Sequence, residues 1–226
     1  MIEFDLSQFE ARVLGVLAEK QSITPDIYPL SLNALTNGCN QLSNRDPVMA
    51  ISEDTVVQAL QRLQQRQLVQ VYYPAGSRVA KYQHMLAEVF AVDDARLSTL
   101  TMLLLRGPQT CGELRSRTAR MHDFNNTEAV ERSLNDLAQA SQALAVQLPR
   151  APGTKEARWA HLLCGETAIE RQEMAASMVG HNVGGGLVTS SLGDERVAQL
   201  EADVMLLKRE MAWLTEELLK FKKQFE

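Results

Sequence analysis

The sequence predicts a mainly α-helical chain with small β-hairpins, an α+β protein built as two consecutive copies of one plan plus a long C-terminal helix. Three observations predict it. Apolar residues recur at helical spacing behind capping signals, and do so twice along the chain. Each set of helices is followed by two short runs rich in β-branched or aromatic residues. The C-terminal stretch repeats apolar residues at alternating steps of three and four. A length of 226 residues suits two small domains with something added, and 45% hydrophobic residues suffice for their cores.

The first copy is expected over residues 1–90. Ser7 with Glu10 three positions on is a capping box, and Val13, Leu14 and Leu17 give its helix an inward face ending near Gln21. Pro25 and Pro29 place a loop next. A second helix is expected to carry Leu32, Leu35, Cys39 and Leu42 on one stripe, and to stop at Asn44, Asp46 and Pro47. Ser52 caps a third helix, whose inward residues are Val56, Ala59, Leu60 and Leu63. LVQVYY (68–73) and VAKYQHM (79–85) read as two strands joined by the turn PAGSR.

Residues 91–165 repeat the plan. Leu97, Leu100, Leu103 and Leu104 mark a helix from Asp94 ended by Gly107-Pro108. Thr110 with Glu113 opens the next, running to Met121, and Asn125 with Glu128 opens a third that buries Val130, Leu134 and Leu137. ALAVQL (143–148) and WAHLL (159–163) are the strands. Three helices followed by a hairpin is the order of a winged helix, so the expectation is two tandem winged-helix domains. Two small α+β domains without wings are the plainer alternative.

Residues 166–193 loosen in composition, and GHNVGGGLVTSSLG, with five glycines, reads as a flexible linker. Residues 194–226 then carry Val197, Leu200, Val204, Leu207, Met211, Leu214, Leu218, Phe221 and Phe225 as a heptad seam. Val at the first a positions and Leu at d favour a parallel coiled-coil homodimer, and three of the four expected g–e pairs are attractive, Arg196–Glu201 among them. A single amphipathic helix folded back on its own domain is the alternative.

Much chemistry is missing from the pattern. His84, His122, His161 and His181 have no carboxylate or cysteine at metal-ligand spacing, and Cys39, Cys111 and Cys164 form no CxxC and sit in no nucleophile signature. The glycine run 184–186 has no phosphate-loop context. A non-enzymatic protein without metal or cofactor is expected. The odd cysteine count suggests reduced thiols in the cytoplasm, and neither a signal peptide nor a membrane span is visible.

The stretches "EARVLGVLAEKQ", "TPDIYPLSLNALTNGCNQLSNRDPV" and "LLLRGPQTCGELRSRTARM" resemble the YceH-like family of uncharacterised bacterial proteins, over roughly residues 7 to 163. The resemblance implies tandem winged helices and no particular activity.

The binding surfaces follow from the expected fold. In a helix-turn-helix relative, the N-terminal part of the recognition helix meets the bases. Here that helix opens with Glu53 and Asp54, which would repel phosphates, and then presents Thr55, Gln58, Gln61, Arg62 and Gln65. Glutamine suits adenine and arginine suits phosphate. Arg45, Arg78 and Lys81 could add grip, and Arg115, Arg117 and Arg120 form a second basic cluster. Net charge is −2 over 1–90 (7 basic, 9 acidic), +1 over 91–165 (9 and 8) and −4 over 166–226 (7 and 11). No part is strongly basic, which leaves two expectations side by side: a dimeric regulator of double-stranded DNA, and a protein-binding adaptor or assembly factor.

Asn33, Asn37, Asn40 and Asn44 fall at steps of four, three and four, one face of a helix. The expectation is that they pin the neighbouring loops, 22–31 and 43–52, by hydrogen bonds; a row of amides reading base edges is the alternative.

Overall fold

Seven helices and five strands follow one another in the computed structural model, which describes residues 5–74, 76, 79–150 and 154–165. The first half contains α1 (Gln8–Ile23), a 3-10 turn (Pro25–Ile27), β1 (Leu30–Ser31), α2 (Leu32–Cys39), α3 (Glu53–Gln65), β2 (Val69–Tyr72) and β3 (Lys81–His84). The second contains α4 (Leu86–Phe90), α5 (Asp94–Arg106), α6 (Cys111–Thr118), α7 (Thr127–Ala138), β4 (Ala145–Gln147) and β5 (Trp159–His161). The fold is thus mixed α and β, with helices dominant and two small antiparallel sheets: β1-β3-β2 and β4-β5. Residues 194–226, which carry the heptad seam, and the linker 166–193 before them lie outside the described residues.

The predicted caps form. Ser7 and Glu10 exchange both bonds of a capping box, as do Thr110 and Glu113, and Ser52 accepts from the Thr55 amide. The cap of α7 is Asn126 rather than Asn125; its side chain accepts from the Ala129 amide, which sits three residues on. Two short elements escape the sequence pattern. β1 has two residues and α4 five, each held by neighbours rather than by propensity, with Leu30 paired to Tyr82 and Leu86 buried.

Helix α2 is shorter than its stripe suggests. It ends at Cys39 with Asn40 as its C-cap, so Leu42 lies beyond it, 84% exposed, and Asn44 adopts a left-handed backbone (φ 58°) that no helix continues through. The loop keeps the chain from extending the helix because Asn40 and Arg45 draw it back, as described below.

Helix α1 is the centre of the packing. Every residue from Glu10 to Glu19 is buried. A helix covered on all sides must have neighbours all round: α5, α3, α2 and β3 each pack on it. Two glycines allow the closest approaches. A Cβ on Gly15 would lie 2.8 Å from Leu105 Cδ2 and 3.2 Å from Leu104 Cβ, and one on Gly38 would lie 2.6 Å from Val16 Cγ1. Helix α5 repeats this burial from Leu97 to Leu105, with Ser98, Thr99 and Thr101 returning their hydroxyls to carbonyls of the preceding turn. One continuous core therefore unites Leu14, Leu17, Leu35 and Leu60 of the first half with Leu100, Leu103, Leu134 and Leu137 of the second.

Two histidines are buried in this framework. His84 Nδ1 accepts the Leu86 amide while Nε2 has no partner; His161 lies on β5 with Nδ1 unpaired. Burial pulls each down to about 4.

Gly15→Val should destabilise the protein by about 1–3 kcal/mol through overpacking, whereas Gly112→Ala, which meets only Thr110 Oγ1 at 3.9 Å, should stabilise it by up to about 1 kcal/mol through helix propensity. Urea midpoints compare the two. The histidines predict a pH effect. The unfolded chain takes up protons near pH 6.5 and the folded chain only near 4, so their contribution is complete above 6.5 and is lost as pH falls toward 4. The two together add a slope of up to about 3 kcal/mol per pH unit within that window. His161→Leu should halve the added slope in denaturation series at successive pH values.

Candidate nucleic-acid interface

The outward face of α3 follows from its own periodicity. Val56, Ala59, Leu60 and Leu63 are buried against α1, and that fixes Gln58, Gln61, Arg62 and Gln65 outward, all exposed. None of these four side chains makes a hydrogen bond or ion pair to another described residue, which leaves their donors and acceptors available. Thr55 differs. It is half-buried, and its hydroxyl shares a 2.9 Å bond with Ser52 Oγ, so it belongs to the helix cap. Glu53 and Asp54 stand exposed in the first turn, where the positive end of the helix dipole favours them.

Beside this helix, β2 and β3 pair with Gln70 opposite Gln83 and Tyr72 opposite Lys81. Gln83 donates to Gln70 at 2.8 Å. Lys81 is half-buried between Tyr72 and Ser31, its partners across the sheet, and Tyr72 and Tyr73 are exposed. Arg78 lies outside the described residues.

The second half offers a different surface. Helix α7, the counterpart of α3, exposes Glu128, Glu131, Arg132, Asn135, Asp136 and Gln139, and Asp136 pairs with Arg96 at 3.3 Å. The three arginines of the second cluster do not act together. Arg115 donates to the carbonyls of Phe124 (3.2 Å) and Asn125 (2.9 Å), which fixes the approach to α7. Arg117 donates to Gln109 Oε1 at 2.7 Å and lies 3.5 Å from Glu113. Only Arg120 is exposed without a partner among the described residues. Glu113 also receives Arg158 at 3.0 Å. Burial alone would raise its carboxyl, but the Thr110 amide and the two arginines hold it below the usual range.

Arg45 cannot supply outward grip, because it is buried. It meets Glu19 through two bonds of 3.1 and 2.6 Å, and donates to Gly38 O (3.0 Å), Asn44 O (2.9 Å) and Gln41 Oε1 (2.8 Å), so all five of its N–H groups are used. Arg12 donates beside it to Cys39 O (3.1 Å) and Pro47 O (2.6 Å). Burial, then the nearby Arg45 charge, draw the Arg12 pKa down. Arg12 and Glu19 stand seven apart on α1, two turns on one face, with only apolar residues and Gly15 between them, and that spacing is the sequence signal for this network.

The four asparagines part company. Asn33 and Asn37 are exposed and bond to one another at 3.1 Å. Asn40 closes the loop ahead of α3: its amide donates to Ile51 O at 2.8 Å and its carbonyl accepts the Ile51 N–H at 2.7 Å. Asn44 accepts from Arg106 at 3.2 Å. The expected pinning of the 43–52 side thus falls to Asn40 and Asn44, while Asn37 holds no loop.

Among the described residues, no three His, Cys, Asp or Glu side chains are placed to hold a metal ion, and no helix is long and apolar enough to cross a membrane. The three cysteines are free thiols, with Cys39 and Cys164 each pushed up to about 12 by burial.

Residues 6–154 match the family model described as "Protein of unknown function, DUF480". The UPF0502 protein HEAR1280 of Herminiimonas arsenicoxydans is 48% identical over 223 residues, covering 99% of this chain and 91% of the relative. The chain belongs to the DUF480/UPF0502 family. Other UPF0502 proteins match end to end: that of Pelobacter propionicus at 45% identity and GSU0233 of Geobacter sulfurreducens at 44%, each over 225 residues and all of both chains. These bacterial relatives share the full length of the chain, its C-terminal stretch included.

Asn40→Ala should cost about 1–3 kcal/mol, the penalty for orphaning a buried donor and acceptor, and Asn37→Ala should stay within about 0.5 kcal/mol, as exposed positions do. Paired thermal melts distinguish them.

Proposed function

We propose that this UPF0502 protein is a non-enzymatic, cytoplasmic, dimeric winged-helix regulator that binds double-stranded DNA through its first half. The observation that carries the reading is the outward face of α3: Gln58, Gln61, Arg62 and Gln65, exposed and unengaged, on the third helix of a three-helix-then-hairpin unit. Glutamine can meet adenine through both the oxygen and the nitrogen of its amide, and Arg62 can meet guanine or phosphate. The β2–β3 hairpin takes the place of a wing, with Lys81 on it and Arg78 falling in the sequence between its two strands. The resemblance to YceH-like proteins, taken to be tandem winged helices, points the same way. In this reading the second half is a brace: α7 is acidic, and Arg115 and Arg117 are occupied within it. Dimerisation would come from the seam of residues 197–225, placing two α3 helices on half-sites about one helical turn apart, ~34–36 Å.

A second reading has its own observation. Glu53 and Asp54 stand exposed at the end of α3 where a phosphate would pass, and that suits a protein-binding adaptor better than a DNA reader.

The two readings predict opposite signs. Glu53→Gln and Asp54→Asn should tighten DNA binding if α3 enters a groove, and weaken a protein complex if those acids are its contacts. Gln61→Ala should relax selectivity at one base position at ~1–3 kcal/mol, and Arg62→Ala should lower the salt slope by about one if it meets a phosphate. Mobility shifts on duplexes selected from random sequence measure all three. Full-length protein that binds no duplex at low salt and micromolar concentration would remove the DNA reading. Light scattering tests the dimer: the full chain should run as a dimer, and both a chain ending at Gly165 and the Leu207→Lys variant as monomers.

A further inference from the structure

The densest set of side-chain hydrogen bonds in the described residues is spent on one loop. Residues 40–51 leave α2 and return to it, because Asn40 binds both backbone groups of Ile51. Closed at its neck, the segment is an Ω-type loop. Arg45 fills its interior with five donated bonds, Arg12 holds Pro47, and the Asp46 amide donates to Leu105 O at 3.0 Å. The loop is therefore held in one conformation before anything binds.

What it holds outward is apolar. Leu42 is 84% exposed and Val48 51% exposed. Anchoring from within does not require apolar side chains on the outside; polar residues would serve the Arg45 network equally well. A buried ion pair such as Arg45–Glu19 is also weak evidence of a purely stabilising role, since its desolvation offsets its attraction. A rigid loop that shows apolar side chains to water is prepared for contact, because a partner meets it without paying to order it.

The charge around the loop selects the partner. Asp46 on the loop and Glu53 and Asp54 just after it are exposed and form no ion pair with a described residue. Of the basic residues at the loop, Arg12 and Arg45 are buried, and Lys20 and Arg106 donate to Gln41 Oε1 and Asn44 Oδ1, so the charged groups left without a hydrogen-bond partner among the described residues are these three carboxylates. Such a surface repels phosphate and attracts lysine and arginine. We propose that the 40–51 loop, with the acidic first turn of α3, is a docking surface for a basic amphipathic segment of another protein, whose apolar side chains cover Leu42 and Val48. This surface does not depend on DNA being bound, because neither Leu42 nor Val48 belongs to the α3 face of Gln58, Gln61, Arg62 and Gln65.

The test uses the full chain and a fluorescent synthetic helix with leucines on one face and lysines along its flanks, followed by anisotropy. A counterpart with glutamates in place of the lysines is measured in parallel. The lysine helix should bind and the glutamate helix should not. Leu42→Ser with Val48→Ser should weaken binding at least about ten-fold, with the melting temperature unchanged, and Gln61→Ala should bind as the natural chain does. Hydrogen exchange on the natural protein gives a readout free of variants: the helix should protect amides within 41–54. The proposal fails if the lysine helix does not bind, if the double serine variant binds it equally well, or if protection appears elsewhere.

Discussion

The complete burial of α1 is the constraint from which the rest of the structure follows. A helix with ten consecutive buried residues needs partners on every side, and α5, α3, α2 and β3 supply them. Two glycines make the closest contacts sterically feasible, Gly15 under Leu105 and Gly38 over Val16. The same burial encloses Arg12 and Glu19, and enclosed charges must be paired or hydrogen-bonded. Arg45 and the carbonyls of Cys39 and Pro47 meet that requirement. The shape of the 40–51 loop is thus a consequence of charges placed on α1: the helix demands partners, and the loop is bent to provide them.

The two halves share a plan and divide its uses. In the first, α3 keeps its outward amides and guanidinium free. In the second, arginines are drawn inward, with Arg115 holding the approach to α7 and Arg117 and Arg158 converging on Glu113. Because α1 and α5 pack within one core, the free face of α3 is carried on a body roughly twice the size of a single three-helix unit. A binding surface on a rigid body spends less of its interaction energy on ordering itself.

Local signals were legible in the sequence, and they were right where the physics is local. Both capping boxes, the buried stripes of α3 and α7 and the strand pairs follow from spacing alone. The exposed face of α3 follows from the same periodicity. The structure departs from the local pattern where a distant residue decides. Leu42 fits a helical stripe, yet Asn40 bonds Ile51 and the helix stops; Asn44 fits the polar stripe, yet it turns left-handed and meets Arg106. Arg45, Arg115 and Arg117 are basic residues in a basic-looking context, and nothing local reveals that their donors are already used. The cap of α7 shows the finer limit: adjacent asparagines differ only in which one sits three residues before the amide it accepts.

The start and end of the described chain are joined. Asp5 bridges Cys164, Leu6 donates to Leu163 O at 2.8 Å, and Arg66 donates to Asp5 O at 3.1 Å. Gly165, the last described residue, therefore lies close to Asp5, the first. A short peptide would suffice to join Asp5 to Gly165, which makes the loop tips suitable places to open a circularly permuted form of residues 5–165.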